Sequence, residues 1–409
     1  MPAWRLTILL CFAETLNMAG YSAVAALLPE LKLAWTLDNA EIGIVEGAFN
    51  IGYVAAVPIL VTATDRRDPR AIYLLATVLG IAASLGLAFI AHDLWSAALF
   101  RALAGIALAG TYMPGLKILT DAVTGPRQSR WLAFYTASFS LGASASTAAT
   151  GAIGHALEPT ASFLLAAAGA GGALLLVGLA VPSSPRERHP TQPAWGALWQ
   201  AAQNRGALAY SLAYAAHMWE LYGFRTWLVA YLLFAATGSL TPTGDTSYAL
   251  WGAILLLLGM PSSIVGNEIA LKIGRRRQLT LAMAISVALA LAFGAGSFLP
   301  FPVLLILGAL YSLFVTADSA SLTAGAVAGA RPGQSGATMA LHSLLGFAAA
   351  SLGPLAFGLM LDVGSDHAAA SWFAGFAILG AGVACGPLIL RLMLGTGDDG
   401  EGRRDHRKA

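Results

Sequence analysis

The segment AAHMWELYGFRTW (215–227) sets His217, Glu220 and Arg225 inside an apolar run long enough to cross a lipid bilayer. A charged side chain near the bilayer centre costs at least ~2.5–3.5 kcal/mol on insertion scales, so such groups face a partner or a wet cavity. Other apolar runs carry the same anomaly: Glu14 with Asn17 and Tyr21, Glu46, Arg101 with Tyr112, and Asp318 with Ser319. Glu14, Asn17 and Tyr21 recur at helical spacing and so share one face, as do His217 and Glu220. Arg225 lies about 140° round the helix from Glu220, which points it to a carboxylate elsewhere, such as Asp318 or Glu14.

A carboxyl withdrawn from water can exchange a proton near neutral pH. On that ground Glu14, Glu220, Asp318 and Glu46 are the candidates for carrying protons. Asn17, Tyr21, Arg101, Tyr112, His217, Tyr222 and Arg225 are the candidates for touching a ligand. Plainer roles compete with each of these. Arg101 can be a hydrogen-bonded strut, His217 can bond a carbonyl, the tyrosines can pack, and Glu14 and Glu220 can form a structural pair. Lys117, about a turn from its helix end, is expected to snorkel.

These groups need elements to hold them, and composition says which. The chain has 409 residues, 57% hydrophobic and 11% charged, against about 25% charged in soluble domains. It cannot cover a water-exposed surface, and it belongs in a bilayer. Segments of roughly 20 apolar residues, the length that crosses a ~30 Å core, recur along it. Twelve are expected, at 5–28, 41–62, 71–91, 94–120, 131–154, 160–181, 205–235, 247–271, 278–299, 301–326, 335–361 and 369–394. Each should be helical, since backbone groups in lipid need partners within their own segment. The first resembles a signal peptide, but its length and the embedded Glu14 mark it as a retained helix.

The twelve spans divide into an N-terminal six-helix bundle (1–181) and a C-terminal six-helix bundle (205–394). A Pro-rich, charged linker (182–204) joins them, its WGALWQAAQN portion suited to a short amphipathic helix. A polar tail (395–409) reads as disordered. With the N-terminus inside, the inner loops and tail collect Arg66, Arg67, Arg70, Arg127, Arg130, Arg186, Arg188, Arg205, Lys272, Arg275–Arg277, Arg331 and Arg403, while the outer loops hold Lys32 alone. That asymmetry predicts both termini and the linker in the cytoplasm, and the inner (plasma) membrane is the expected location. Cys11 and Cys385 lie in apolar runs and read as reduced, buried thiols.

The halves also repeat. VTATDRRDPR (61–70) follows the second span and NEIALKIGRR (267–276) the eighth, 206 residues later, and the same shift carries Glu14 onto Glu220. Parallel repeats of this kind build one large class of transporters. Over essentially its whole length the chain resembles the major facilitator superfamily. That family's loop between helices two and three follows G-x-L-A-D-R-x-G-R-K. The first copy here keeps Asp65, Arg66 and Arg70 but has Asp68 and Pro69 where Gly and Arg are usual. The second keeps Ala270, Lys272, Gly274, Arg275 and Arg276, with Leu271 in place of the acid. RALAG (101–105) matches the fourth-helix pattern R-x-x-x-G. The Gly-rich G-P-x-x-G-G element of drug–proton antiporters is missing from the fifth helix, which reads SLGASASTAATGAIG; its nearest likeness is LGPLAFG (352–358) in the eleventh.

The resemblance implies an all-α membrane fold of two pseudo-symmetric six-helix bundles, with helices one, four, seven and ten lining a central cavity. Among the intramembrane charges only Glu46, on the second, falls outside those four. It implies a monomeric, proton-coupled secondary transporter working by alternating access. Asp65, Arg66, Arg70, Lys272, Arg275 and Arg276 would form its cytoplasmic gate. Four membrane acids against two membrane bases (Arg101, Arg225) favour a cationic or amphipathic solute exchanged for protons. The alternative is a small organic or inorganic anion held by Arg101 and Arg225, since LAGTYMPGLKILTDAV faintly resembles the nitrate- and cyanate-type branch. A non-transporting receptor or scaffold lacks the soluble domain that signalling usually needs. No nucleotide-binding glycine loop, metal-spaced His/Cys cluster or nucleophile motif occurs, so neither an enzyme nor a cofactor is expected. Basic runs without interleaved aromatics argue against nucleic acid.

Overall fold

A chain this apolar has to satisfy its backbone within helices, and in the computed structural model every regular element among the described residues is helical. Those residues are 1–64, 67–123, 128–183, 194–238, 240–241, 245–332, 334–364 and 368–394. Asp65, Arg66, positions 184–193 of the linker and the whole 395–409 tail lie outside them.

The chain opens with α1 (Ala3–Asn17), a 3-10 turn (Met18–Gly20), α2 (Ala23–Ala26) and α3 (Leu28–Ala34). Longer helices follow: α4 (Asn39–Thr64), α5 (Pro69–Phe89), α6 (Leu94–Ala122), α7 (Gln128–Ala156) and α8 (Pro159–Ala180). The short α9 (Ala194–Ala202) precedes α10 (Arg205–Thr237), α11 (Ser247–Leu257), α12 (Gly259–Ile273) and α13 (Arg275–Ala295). Last come α14 (Phe301–Phe314), α15 (Ser319–Ala328), α16 (Ser335–Val363) and α17 (Ala368–Leu394). Nine stretches among the described residues are long and apolar enough to span a bilayer. The other three expected spans are helical as well, but the first is interrupted and α7 and α10 are not among the nine.

Contacts sort the chain into two compact units. The first comprises Met1–Thr191 and Arg225–Leu257. Within it α4 and α5 pack on α6, α5 also on α8, α1 on α7 and α8, and α11 on α7. The second comprises Gln192–Phe224 and Leu258–Ala409, where α17 packs on α13 and α16, α12 on α13 and α15, and α9 on α16.

Glycine sets the tightest crossings. A Cβ at Gly105 would strike the carbonyl of Phe49, and one at Gly52 that of Ala102, so α4 and α6 meet backbone to backbone. The glycine of RALAG is therefore a packing requirement. Gly274, at φ +90°, lets the chain turn from α12 straight into α13, a conformation that a side chain resists.

Three expected spans are broken, one of them only at Leu258 between α11 and α12, and the other two breaks are repaired by neighbouring side chains. At the α1 break, Ser146 Oγ of α7 accepts from Ser22 N (3.0 Å) and donates to Ala19 O (2.8 Å), while Ser22 Oγ donates to Ala143 O (3.2 Å). Between α14 and α15, Gln278 Nε2 donates to Ala317 O (2.9 Å) and Ala320 N donates to Ser263 Oγ (3.2 Å). Uninterrupted spans were expected at 5–28, 247–271 and 301–326. Backbone freed in a membrane is tolerated where protein groups re-satisfy it.

The departure from the family loop also has a local cause. Asp68 Oδ1 accepts from Arg70 N at 2.9 Å and Pro69 takes the first helical position, so the pair starts α5. Outside the spans, Asp93 and Ser96 make a reciprocal cap on α6. The bonds from Ser96 hold the Asp93 carboxyl below its ordinary range. The expected amphipathic helix is present as α9, with Ala201 buried and Trp199 exposed. Both cysteines are free, but the expectation of buried thiols was wrong: Cys11 is half-buried and Cys385 exposed. A helix facing lipid is apolar on its outer side too, so apolar neighbours in sequence do not imply burial.

Candidate functional site

In the first unit Glu14 is fully buried on α1. Its Oε2 accepts a long bond (3.4 Å) from the hydroxyl of Tyr135 on α7, which also reaches Tyr112 O at 3.1 Å. Its Oε1 has no hydrogen-bond partner, and no cation pairs with it among the described residues. One turn on, Asn17 Nδ2 donates to the hydroxyl of Tyr73 on α5 at 2.8 Å. Tyr112 stacks on Tyr135 at 5.5 Å and meets Phe139 edge-on.

Arg101 has partners within its own unit. Its Nη2 donates to Glu46 Oε2 at 2.9 Å in a pair that is almost wholly buried, and its Nη1 reaches Tyr21 O at 3.3 Å. The guanidinium also lies over the Phe49 ring, 4.6 Å from its centroid, and Phe49 meets Tyr21 edge-on. Asn17, Tyr21, Arg101, Thr77 and Thr111 border a small cavity of about 50 Å³ beside this pair. Lys117 does not stand alone at its helix end, since Asp121 one turn on holds it at 2.7 Å.

The quoted helix, α10, belongs to the second unit up to Phe224 and to the first from Arg225, and it sends its groups to different neighbours. His217 Nδ1 meets Asp318 Oδ1 at 2.8 Å, both side chains buried. Asp318 stands at the break between α14 and α15, so it reaches α10 from irregular backbone. The structure thus pairs Asp318 with His217, which the sequence had offered as a ligand contact. Arg225 itself is half-buried. Tyr214 stacks against His217 (5.6 Å) and more closely against His342 of α16 (3.9 Å), and His342 Nε2 lies 3.3 Å from Thr323 Oγ1. Glu220 Oε1 accepts from Ser286 Oγ of α13 at 2.9 Å and from the Tyr311 hydroxyl of α14 at 3.1 Å. Glu220 is 1% exposed, and no cation pairs with it among the described residues. Both of its partners lie in the same unit. Tyr222 packs edge-on against Phe347.

Of the motif residues, Arg70 Nη2 donates to Gly178 O of α8 at 2.5 Å, tying α5 to α8. Asp65 and Arg66 fall outside the described residues. Lys272 is exposed beside the Gly274 turn, with Arg275 and Arg276 opening α13.

Sequence reasoning found the acids and bases but missed what holds them: Tyr73 and Tyr135 for the Asn17–Glu14 face, Ser286 and Tyr311 for Glu220, and Tyr214 and His342 beside His217. Those residues sit on spans other than one, four, seven and ten, or are tyrosines easily taken for packing. His342, an imidazole within ATMALHSLLG, carried the same cost signal as His217 and could have been found by it.

A family model, the Major Facilitator Superfamily, matches residues 10–354. The chain belongs to the major facilitator superfamily. No curated protein sequence matches it. Solved structures share the fold at low identity. A bacterial homologue of the human lysosomal transporter Spinster, inward-facing and unoccupied, gives a TM-score of 0.73 at 15% identity, covering 96% of this chain and 95% of that one. A point mutant of the nucleoside transporter NupG gives 0.77 at 14% identity over 95% and 100%. A POT family transporter in complex with 5-aminolevulinic acid gives 0.71 at 15% identity over 95% and 96%. The superfamily member described here is a multi-pass membrane transport protein, not an enzyme.

Proposed function

We propose that this superfamily member is a proton-coupled secondary transporter working by alternating access, with 1–181 and 205–394 as its two moving halves. The supporting observation is a pair of enclosed acids. Glu14 and Glu220, 206 residues apart in the repeat, are each fully buried, bonded by hydroxyls and without a paired cation among the described residues. An isolated carboxylate in a low-dielectric interior is costly and neutralises instead. A carboxyl that alternates between such an enclosure and water binds a proton in one state and releases it in the other.

Asp318 is the second-rank proton carrier because the His217 ring already meets it, and Glu46 the third because Arg101 pairs with it. The same pairing bears on substrate. With Arg101 committed to Glu46, the balance of the remaining buried charge is acidic, which favours a cationic or amphipathic solute over a small anion. Asn17, Tyr21, Tyr112, His217, Tyr222 and Arg225 remain the proposed contacts. The protein is proposed to act as a monomer in the inner (plasma) membrane with both termini cytoplasmic, on the Lys and Arg asymmetry.

Solid-supported-membrane recordings on proteoliposomes, with panels of organic cations and anions and an imposed pH gradient, test this reading. Charge movement with cationic solutes that depends on the gradient is expected. Responses confined to anions, and abolished by Arg225→Gln, would replace the cationic assignment.

A further inference from the structure

The second unit carries an apolar groove of about 430 Å³ between α12, α13 and the end of α14. One wall is Val265, Ile269 and Ile273 of α12, the other Leu281 and Ile285 of α13, and all five side chains are exposed. Leu313, Phe314 and Ala317 form the floor, where the chain breaks before α15. The groove is deep there because Gly266 lets α12 approach the backbone at Ala317 without a side chain between them.

Its length and its ends identify an occupant. From Ile273 back to Pro261, α12 rises about 18 Å at 1.5 Å per residue. That is close to half of a ~30 Å hydrocarbon core, the depth of one leaflet. The groove therefore starts at the Gly274 turn and stops near the bilayer middle. At the turn stand Lys272, Arg275, Arg276 and Arg277, four cations in six residues. Lys272 and Arg277 are exposed and have no ion pair or hydrogen bond among the described residues. Gln278, the first lining residue past the turn, donates its amide to Ala317 O and leaves its Oε1 without a partner. An apolar channel one leaflet deep, opening under a cluster of cations, matches a phospholipid that pairs one acyl chain with an anionic headgroup.

We propose that the α12–α13–α14 groove is a binding site for an anionic phospholipid, its headgroup held by Lys272 and Arg277 and one acyl chain laid along Val265, Ile269 and Leu281. A juxtamembrane cation contributes to holding an anionic lipid by charge, and the groove adds the apolar area that ordinary annular contact lacks. A second copy of the chain or another helix would meet the same wall, but neither would call for cations at one end only.

Native mass spectrometry of the intact protein, after exchange into vesicles of equal phosphatidylglycerol and phosphatidylcholine with matched chains, is the test. Wild type should retain phosphatidylglycerol at least fivefold over phosphatidylcholine. Lys272→Gln with Arg277→Gln should bring that ratio near one while lipid is still retained. Val265→Trp, at an exposed position that leaves the core untouched, should lower retention of both lipids severalfold. Equal retention of the two lipids by wild type would overturn the proposal. So would a preference unchanged in the double variant, or a dimer that Val265→Trp disrupts in place of lipid.

Discussion

At the scale of single residues, charge is tolerated in this chain by two different means. Arg101 pairs with Glu46, and the His217 ring meets the Asp318 carboxyl, each in a buried contact. Glu14 and Glu220 are solitary acids solvated by hydroxyls. The two classes should respond differently to substitution. Removing one partner of a buried pair typically costs ~3–5 kcal/mol because the other charge is stranded, whereas replacing both with apolar residues is often neutral. Glu46→Gln should therefore lower the thermal stability of the purified protein markedly, and Glu46→Leu with Arg101→Met should recover most of it. Glu14→Gln and Glu220→Gln strand no charge and should unfold within a few degrees of wild type. A stable Glu46→Gln protein would show that Arg101 is satisfied by other groups.

At the scale of elements, hydropathy period and length located the helices, because lipid leaves the backbone no other choice. RALAG was legible only as a family pattern; that its Gly105 meets the Phe49 carbonyl was not, because a motif by itself does not say which helix must come close. The breaks at Asn17–Ser22 and at 315–318 were illegible. Nothing in either stretch forbids a helix, and the groups that repair the interruptions are Ser146, Gln278 and Ser263, each at least 39 residues away along the chain. The His217–Asp318 pair was missed for the same reason, since it depends on where the second break delivers Asp318. Gly105→Leu should abolish correctly folded protein, as judged by fluorescence-detected size exclusion, because a rigid backbone has no room to yield. Asp68→Ala removes one cap and should cost about 1 kcal/mol, leaving a folded protein with a frayed start to α5.

At the scale of the whole molecule, the sequence showed family and membrane class through composition, repeat and loop motifs together, and the match over residues 10–354 agrees. Sidedness rests on the Lys and Arg asymmetry. Cysteine introduced at Arg67 or Arg276 should resist an impermeant thiol reagent applied to intact cells and react in inverted vesicles. Labelling from outside would reverse the proposed topology. The central claim is that an enclosed, unpaired acid couples solute movement to protons, and uphill accumulation against downhill exchange in Glu220→Gln proteoliposomes tests it most directly. The near-isosteric amide should leave solute exchange within about twofold of wild type while abolishing accumulation driven by a pH gradient. A Glu220→Gln protein that still concentrates solute, with an unchanged dependence on pH, would contradict it.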